Sequence, residues 1–177
     1  MTKEDIIRRT IGIEGGFSDH PYDLGGKTKY GISQKLADKY HVTYNIGNLP
    51  KDVAIHIYSK EFWVPLRCEE LLRISPMLTL EIFDTAVNMG APRAASFLQR
   101  SINALNIGGK LYKDVTVDGI IGSKTTGAVQ QYCIKRDPEV LVKMINCLQG
   151  ARYVSLVEQR EKNEAFIYGW MKNRIHI

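Results

Sequence analysis

Cysteine is scarce in this chain of 177 residues, which has three: Cys68, Cys133 and Cys147. None of them stands in a CxxC pair or at a metal-ligand spacing from a histidine, so neither a metal site nor another cofactor is expected. An odd count also argues against a disulfide framework. We expect three small buried residues in a reducing compartment.

The chain also lacks signals for targeting and membrane insertion. No apolar run approaches the length of a membrane span, so no insertion into a membrane is expected. Glu4 and Asp5 lie where a signal peptide carries basic residues, and no apolar core with a cleavage site follows them. These features predict synthesis in the cytoplasm without a signal peptide.

Positive charge is in modest excess, with a net charge of +5 and 24% charged residues. Such a balance favours anionic partners, such as a bacterial wall or nucleic acid. The basic residues are scattered and no nucleic-acid-binding motif accompanies them, which argues against nucleic acid. The chain contains neither an HExxH motif nor a Ser-His-Asp arrangement, so metalloprotease and serine-hydrolase chemistries are not indicated.

Apolar residues recur at helical spacing along nearly the whole chain, which predicts one mainly α domain. Capping residues, proline and glycine mark the expected helix ends. The predicted helices run from Thr2 to Gly15, from Gln34 (capped by Ser33) to Tyr40, from Pro50 to Trp63, from Pro76 to Met89, from Ala91 to about Asn106, from Ser123 as cap to Tyr132, and from Val140 to about Lys162, with a last piece around Trp170. Residues 107–122 are expected to form a loop, and only residues 40–48 and 110–117 suit short strands.

The most informative segment follows the first helix. Glu14 ends that helix, Asp23 comes after eight intervening residues, and Thr28 after four more. Two glycine pairs, at residues 15–16 and 25–26, surround the acids, and glycine is costly to order because it loses the most backbone freedom on folding. This composition indicates a shaped site rather than a simple connection.

Two carboxylates held apart by a folded loop suit the cleavage of a glycosidic bond. Glu14 is the better general acid, because the negative pole of the helix dipole and partial burial should raise its pKa. Asp23, among free backbone N–H groups, is expected to stay ionised, and Thr28 to hold a water or Asp23 itself. Gly25 and Gly26 let the backbone approach a sugar. The alternative is a surface acid, a turn former and a helix cap without catalytic roles.

This segment resembles the N-terminal motif of the glycoside hydrolase 108 family, bacterial and phage N-acetylmuramidases that are also labelled secretion-activator proteins. The family motif is present as Glu14-Gly15-Gly16, Pro21, Asp23-Leu24-Gly25-Gly26-Lys27-Thr28 and Gly31-Ile32. The resemblance continues through residues 58–66, 83–90 and 95–99. The order Glu, Asp, Thr is also similar to the triad of phage-type lysozymes, in which the second gap is one residue longer.

The resemblance implies a lysozyme-like helical fold, Glu14 as catalytic acid, and hydrolysis of the β-1,4 bond between N-acetylmuramic acid and N-acetylglucosamine in peptidoglycan. It also implies action in the periplasm or cell wall, for lysis or for wall remodelling during secretion, after delivery by a holin or a secretion apparatus. We expect a monomer. A lytic transglycosylase, which forms an anhydro product, and a non-catalytic wall-binding or export-assisting protein are the alternatives.

The second half carries the run Asp118-Gly119-Ile120-Ile121-Gly122-Ser123-Lys124-Thr125, which resembles a signature of peptidoglycan-binding modules. The alternative is a purely structural corner between a loop and a helix. We therefore predict a catalytic region at residues 1–106 and a helical region resembling a peptidoglycan-binding segment at residues 107–177, packed into the same globule.

Further candidates for sugar binding lie outside the acid segment. Asp84 and Asn88 are one helical turn apart on an otherwise apolar helix, and Asn88 is the better hydrogen-bonding partner for an acetamido sugar. Tyr30, Trp63 and Trp170 have rings that can stack on sugars. The alternative for these aromatic residues is a place in the core, and for the two polar ones a partner in the core.

Overall fold

The computed structural model of the protein describes residues 1–14, 17–18, 27–43 and 45–176, with residues 13, 14, 17 and 18 described by their backbone alone. Its helices are α1 Lys3–Glu14, α2 Gln34–Lys39, α3 Lys51–Tyr58, α4 Cys68–Ile74, α5 Pro76–Met89, α6 Ala91–Ala104, α7 Ser123–Lys135, α8 Pro138–Gln159 and α9 Glu164–Arg174. Three short strands are β1 Phe17–Ser18, β2 Thr28–Lys29 and β3 Ile32–Ser33. The predicted mainly α class is confirmed.

The chain divides into two compact units, Met1–Glu61 and Phe62–Ile177. In the first unit, α1 packs against α3, and its buried stripe is made by Ile6, Ile7 and Ile11. Thr2 caps α1 as predicted, because its Oγ1 accepts a hydrogen bond from the Asp5 amide at 3.2 Å. The predicted catalytic region at residues 1–106 and the C-terminal region at residues 107–177 stay a prediction.

A small antiparallel sheet lies in the first unit, in the order β1-β2-β3. Its pairs are Phe17 with Lys29, Ser18 with Thr28, Thr28 with Ser33 and Lys29 with Ile32. The predicted strand regions were wrong: the described residues of 40–48 hold a 3-10 turn at Ile46–Asn48, and residues 110–117 hold no strand. Asn103 accounts for the second error, because its side chain bonds both the N–H and the C=O of Val115 at 2.8 Å.

In the second unit, α5 packs against α4, α6 and α8. Its start at Pro76, with Ser75 as cap, and its end at Gly90 agree with the sequence analysis. Gly90 has φ +89°, a conformation that favours glycine, and this turn allows α6 to begin at once beside α5. The loop predicted at residues 107–122 is also confirmed.

Several local predictions were wrong. The helix predicted from Pro50 to Trp63 changes to a π-helical turn at Ser59–Trp63. Helix α4 was not predicted, because it begins after Arg67, which has φ +50° and no capping side chain. Ser123 is the first residue of α7 rather than its cap, which is Gly122. Of the three cysteines, only Cys68 is buried; Cys133 is half-buried and Cys147 is exposed.

The C-terminal helix is tied to α5 by a buried ion pair. Arg174 Nη1 donates to Asp84 Oδ1 at 2.7 Å, and the two side chains are 7% and 13% exposed. The amide of His176 then donates to Asn146 Oδ1 of α8 at 2.8 Å. Asp84 therefore has a partner in the core, which was one of the two alternatives for this residue.

Replacement of Arg174 by Met should destabilise the protein by about 3–5 kcal/mol, because it leaves the Asp84 carboxylate buried without its cation. The free energy of unfolding from urea titration measures this loss. Lys143→Met is the matched control, since Lys143 pairs with Glu139 on an exposed helix face and should change stability by less than about 0.5 kcal/mol. Equal effects of the two substitutions would contradict the importance of the buried pair.

Candidate functional site

The acid segment begins where the sequence predicted. Helix α1 ends at Glu14, which is described by its backbone alone. Gly15, Gly16, Asp23, Gly25 and Gly26 lie outside the described residues. The position of Glu14 at the C-terminal end of a helix is therefore confirmed, whereas the roles of these residues stay predictions.

Strand pairing places Thr28 opposite the chain that follows Glu14. Ser18, four residues after Glu14, is the Cα partner of Thr28 in the β1–β2 pair. The chain thus returns, after residues 19–26, to the segment that leaves the helix. Thr28 is half-buried and also pairs with Ser33 on β3. The two outer members of the predicted Glu–Asp–Thr set are brought to the same part of the first unit.

Tyr30 forms the turn between β2 and β3. Tyr30 and Gly31 have φ values of +54° and +73°, as in the two-residue turns of β-hairpins. This backbone is unfavourable for tyrosine, at a cost of about 1–2 kcal/mol. The hydroxyl of Tyr58, a buried residue, donates to the Tyr30 carbonyl at 2.7 Å and holds the turn. The Lys29 ammonium lies 5.4 Å from the centre of the Tyr30 ring.

The two tryptophans have different surroundings. Trp63 is 3% exposed, and its ring makes an edge contact with Phe83 at 5.7 Å between centroids. Trp170 is half-buried and stacks on Tyr153 at 5.0 Å and on Phe166 at 5.8 Å. Core packing, one of the two alternatives for these residues, describes Trp63 well.

Asn88 stands at the end of a buried chain of hydrogen bonds. The Tyr153 hydroxyl donates to Asn88 Oδ1 at 2.8 Å, and Gln149 Nε2 donates to that hydroxyl at 3.0 Å. Thr85 Oγ1 lies 3.3 Å from Gln149 Oε1 and 3.2 Å from Glu81 Oε1. The Asn88 amide nitrogen makes no hydrogen bond among the described residues, so it is the group of this side chain that remains to donate.

Family comparisons divide the chain into two parts. Residues 7–90 match the sequence model of the Glycosyl hydrolase 108 family, and residues 93–175 match the Predicted Peptidoglycan domain. The first part of the chain is thus similar to the Glycosyl hydrolase 108 family, and the second part is similar to the Predicted Peptidoglycan domain. The resemblance found in the sequence is confirmed, and the two matches together support a peptidoglycan hydrolase that acts as a glycoside hydrolase.

A solved structure shares the fold. The structure of Brucella abortus SagA superposes with a TM-score of 0.73 at 23% sequence identity, over 96% of this chain and 87% of that chain. No curated protein sequence matches the chain. Across the described ranges, no group of three His, Cys, Asp or Glu side chains is suited to a metal ion, and no described helix is long and apolar enough to cross a membrane.

Glu81, within the residues that match the Glycosyl hydrolase 108 model, is a buried acid that the sequence analysis missed. Burial raises its pKa to about 7, and the charge of Asp84 adds to this effect, whereas Asn146, Thr85 and Arg174 oppose it. The single hydroxyl proton of Thr85 cannot serve both the Glu81 and Gln149 oxygens. When Glu81 carries a proton, that proton can be donated to the Thr85 oxygen, which leaves the Thr85 hydroxyl proton for Gln149. The sequence signal for Glu81 was its position on an apolar helix, between Leu80 and Ile82.

The Asp118-Gly119 signature, within the residues that match the Predicted Peptidoglycan domain, forms a tightly bonded corner. Gln99, which is 1% exposed, donates to Asp118 Oδ1 at 2.8 Å and accepts from the Gly119 amide at 2.9 Å. Gly119 has φ +76°, and a Cβ there would lie 3.0 Å from the carbonyl oxygen of Pro92. The hydrogen bond from Gln99 lowers the pKa of Asp118. These contacts agree with the structural alternative for this motif.

Replacement of Glu81 by Gln should stabilise the protein at about pH 8 by roughly 1–3 kcal/mol. The folded pKa of about 7 lies above the usual 4.5, so the folded state binds more protons and its free energy of unfolding falls as pH rises through that window. Glutamine keeps a donor toward Thr85 at every pH. Denaturant titrations between pH 8 and about pH 4.5 should show that the stability difference between Glu81→Gln and the wild type shrinks toward zero as the pH falls to the lower end.

Exposed Glu158 provides the control, since Glu158→Gln should leave the same pH profile as the wild type. A Glu81→Gln profile parallel to that of the wild type between the two pKa values would contradict a raised pKa for Glu81.

Proposed function

We propose that the protein is an N-acetylmuramidase that hydrolyses the β-1,4 bond between N-acetylmuramic acid and N-acetylglucosamine in peptidoglycan. The match of residues 7–90 to the Glycosyl hydrolase 108 family, with Glu14 at the end of α1, carries this proposal. The same cleavage serves lysis and wall remodelling during secretion. Delivery to the wall would then depend on a holin or a secretion apparatus, and the protein would act as a monomer.

Glu14 acts as the general acid in this mechanism. The C-terminal end of a helix carries partial negative charge, which opposes ionisation of a nearby carboxyl group. Glu14 therefore keeps its proton until the glycosidic oxygen takes it. Transfer of that proton lets the bond between the sugar carbon and the leaving oxygen break.

Asp23 and Thr28 complete the reaction. The ionised Asp23 stabilises the oxocarbenium-like transition state, while Thr28 holds the water that adds to the sugar carbon. The proton that this water loses returns to the two carboxylates of the site and restores the acidic form of Glu14, so bond cleavage yields two hydroxyl-bearing products. Gly25 and Gly26 allow the backbone to approach the substrate. The pairing of Thr28 with Ser18 supports this assignment, because it returns Thr28 to the segment after Glu14.

Asn88 and Tyr30 are each proposed as sugar-binding residues. The Asn88 amide nitrogen donates to the carbonyl oxygen of an acetamido group, and its orientation follows from the bond that Tyr153 donates to Oδ1. The fixed turn at Tyr30 supports a role for its ring. Trp63, which is 3% exposed, packs in the core, so its ring is not proposed to stack on a sugar.

Replacement of Glu14 by Gln should lower kcat on purified peptidoglycan about 10²–10⁴-fold, because glutamine has no acidic proton to transfer. Mass spectrometry of released muropeptides gives both rate and chemistry. The wild type should release fragments with reducing-end N-acetylmuramic acid. Glu4→Gln, on the exposed first turn of the same helix, is the matched control and should keep full activity.

The products also separate the alternatives. Anhydro-muramic acid products would identify a lytic transglycosylase. Retained binding to the wall without release of any fragment would identify a non-catalytic binding protein. Either result would overturn the proposed hydrolysis.

Replacement of Tyr153 by Phe should raise KM about fivefold, the value of one hydrogen bond, because the Asn88 amide is no longer oriented by the bond to its carbonyl oxygen. kcat should change little, since Tyr153 does not contact the reacting atoms in this mechanism. Steady-state kinetics on soluble glycan fragments separates the two constants. A loss confined to kcat would contradict a binding role for Asn88.

A further inference from the structure

Two cavities flank the N-terminal half of α7 in the second unit. One, of about 330 Å³, lies between α7 and α4 and is lined by Glu70, Arg73, Thr126 and Gln130 among others. The other, of about 620 Å³, lies between α7 and the loop of residues 112–115 and is lined by Lys113, Lys124 and Gln131 among others. Gly127 and Gln130 line both cavities.

Gly127 lies between the two cavities on the surface of α7. Residues 123, 126 and 130 form one stripe of α7, residues 124, 128 and 131 form the adjacent stripe, and Gly127 stands between them. No atom lies within 4 Å of the position that a Cβ would take there. Glycine in the middle of a helix costs about 0.5–1 kcal/mol relative to alanine. Since a Cβ at this position would meet no neighbouring atom, the packing of α7 gives no reason for a glycine here.

The uncommitted polar groups around this surface are cations and amides. Lys113 and Lys124 are exposed and have no ionic or hydrogen-bonded partner in the described part of the chain, and the same holds for the Gln130 and Gln131 amides. The carboxylate of Glu70 is already engaged by Arg67 and Thr126. The larger cavity is also lined by Asp114, whose carboxylate accepts a hydrogen bond from the Asn106 amide. Two lysines and one carboxylate leave the charge of this lining net positive.

We propose that the two cavities form one groove, crossing α7 over Gly127, that binds a peptidoglycan strand. The bare backbone at Gly127 lets the glycan pass from one cavity to the other, and the two glutamine amides bond its acetamido groups. Lys113 and Lys124 pair with the carboxylates of the peptide stems. The match of residues 93–175 to the Predicted Peptidoglycan domain supports this occupant, and the inference rests on the proposed function because it names the same polymer.

The first experiment measures binding without cleavage. Variants are made in the Glu14→Gln background, and their co-sedimentation with purified sacculi is measured against protein concentration. Gly127→Leu fills the crossing point and should weaken binding at least about tenfold. Gly127→Ala should raise Tm by about 2–4 °C and bind nearly as well as the parent, which shows that α7 tolerates a side chain.

Gly169→Leu is the matched control. Gly169 is also in a helix of the peptidoglycan domain and also has no atom within 4 Å of a Cβ position, but it does not line either cavity. This variant should bind like the parent. Parent-like binding by Gly127→Leu, or equal losses in both leucine variants, would overturn the groove.

The lysines test the chemistry of the ligand. Lys113→Ala combined with Lys124→Ala should weaken binding to intact sacculi about tenfold and have a smaller effect on glycan strands from which an amidase has removed the peptide stems. Equal losses on both materials would overturn the pairing with stem carboxylates. Hydrolysis by the wild type is measured separately, so failure of the muramidase proposal and failure of the groove give different results.

Discussion

The second unit is organised by the need to find partners for polar side chains on its central helix. Glu81, Asp84 and Thr85 of α5 are all buried, and an unpaired buried polar group costs about 1–3 kcal/mol or more. Helix α8 meets this need with Gln149, and α9 meets it with Arg174. The positions of α8 and α9 against α5 therefore follow from hydrogen bonding as much as from apolar packing.

The two family regions use different devices to shape their surfaces. In the residues that match the Glycosyl hydrolase 108 model, short strands and a tight turn at Tyr30-Gly31 fix the backbone of residues 28–33. In the peptidoglycan domain, the amides of Gln99 and Asn103 on α6 hold a loop that has no regular structure. The groove proposed on α7 depends on a third device, the absence of a side chain at Gly127.

The helices that the sequence predicted well are those with local end signals. Helix α5 has Ser75 and Pro76 at its start and Gly90 at its end, and α8 follows Asp137, whose side chain caps it. Helix α4 has no such signal, because it begins after a left-handed Arg67. The β2–β3 hairpin was missed for a related reason: its turn is stabilised by Tyr58, which lies 28 residues further along the chain.

The sequence by itself determined the mainly α class, the place of Glu14 at a helix end, and the family resemblance, because these depend on periodicity, caps and short motifs within a few residues. Tertiary structure alone decided that Trp63 packs in the core, that Asp118 is bonded to Gln99, and that Glu81 has a raised pKa. It also decided which end of the Asn88 amide is free. Such properties depend on loss of water and on partners distant in sequence, and no local pattern encodes them.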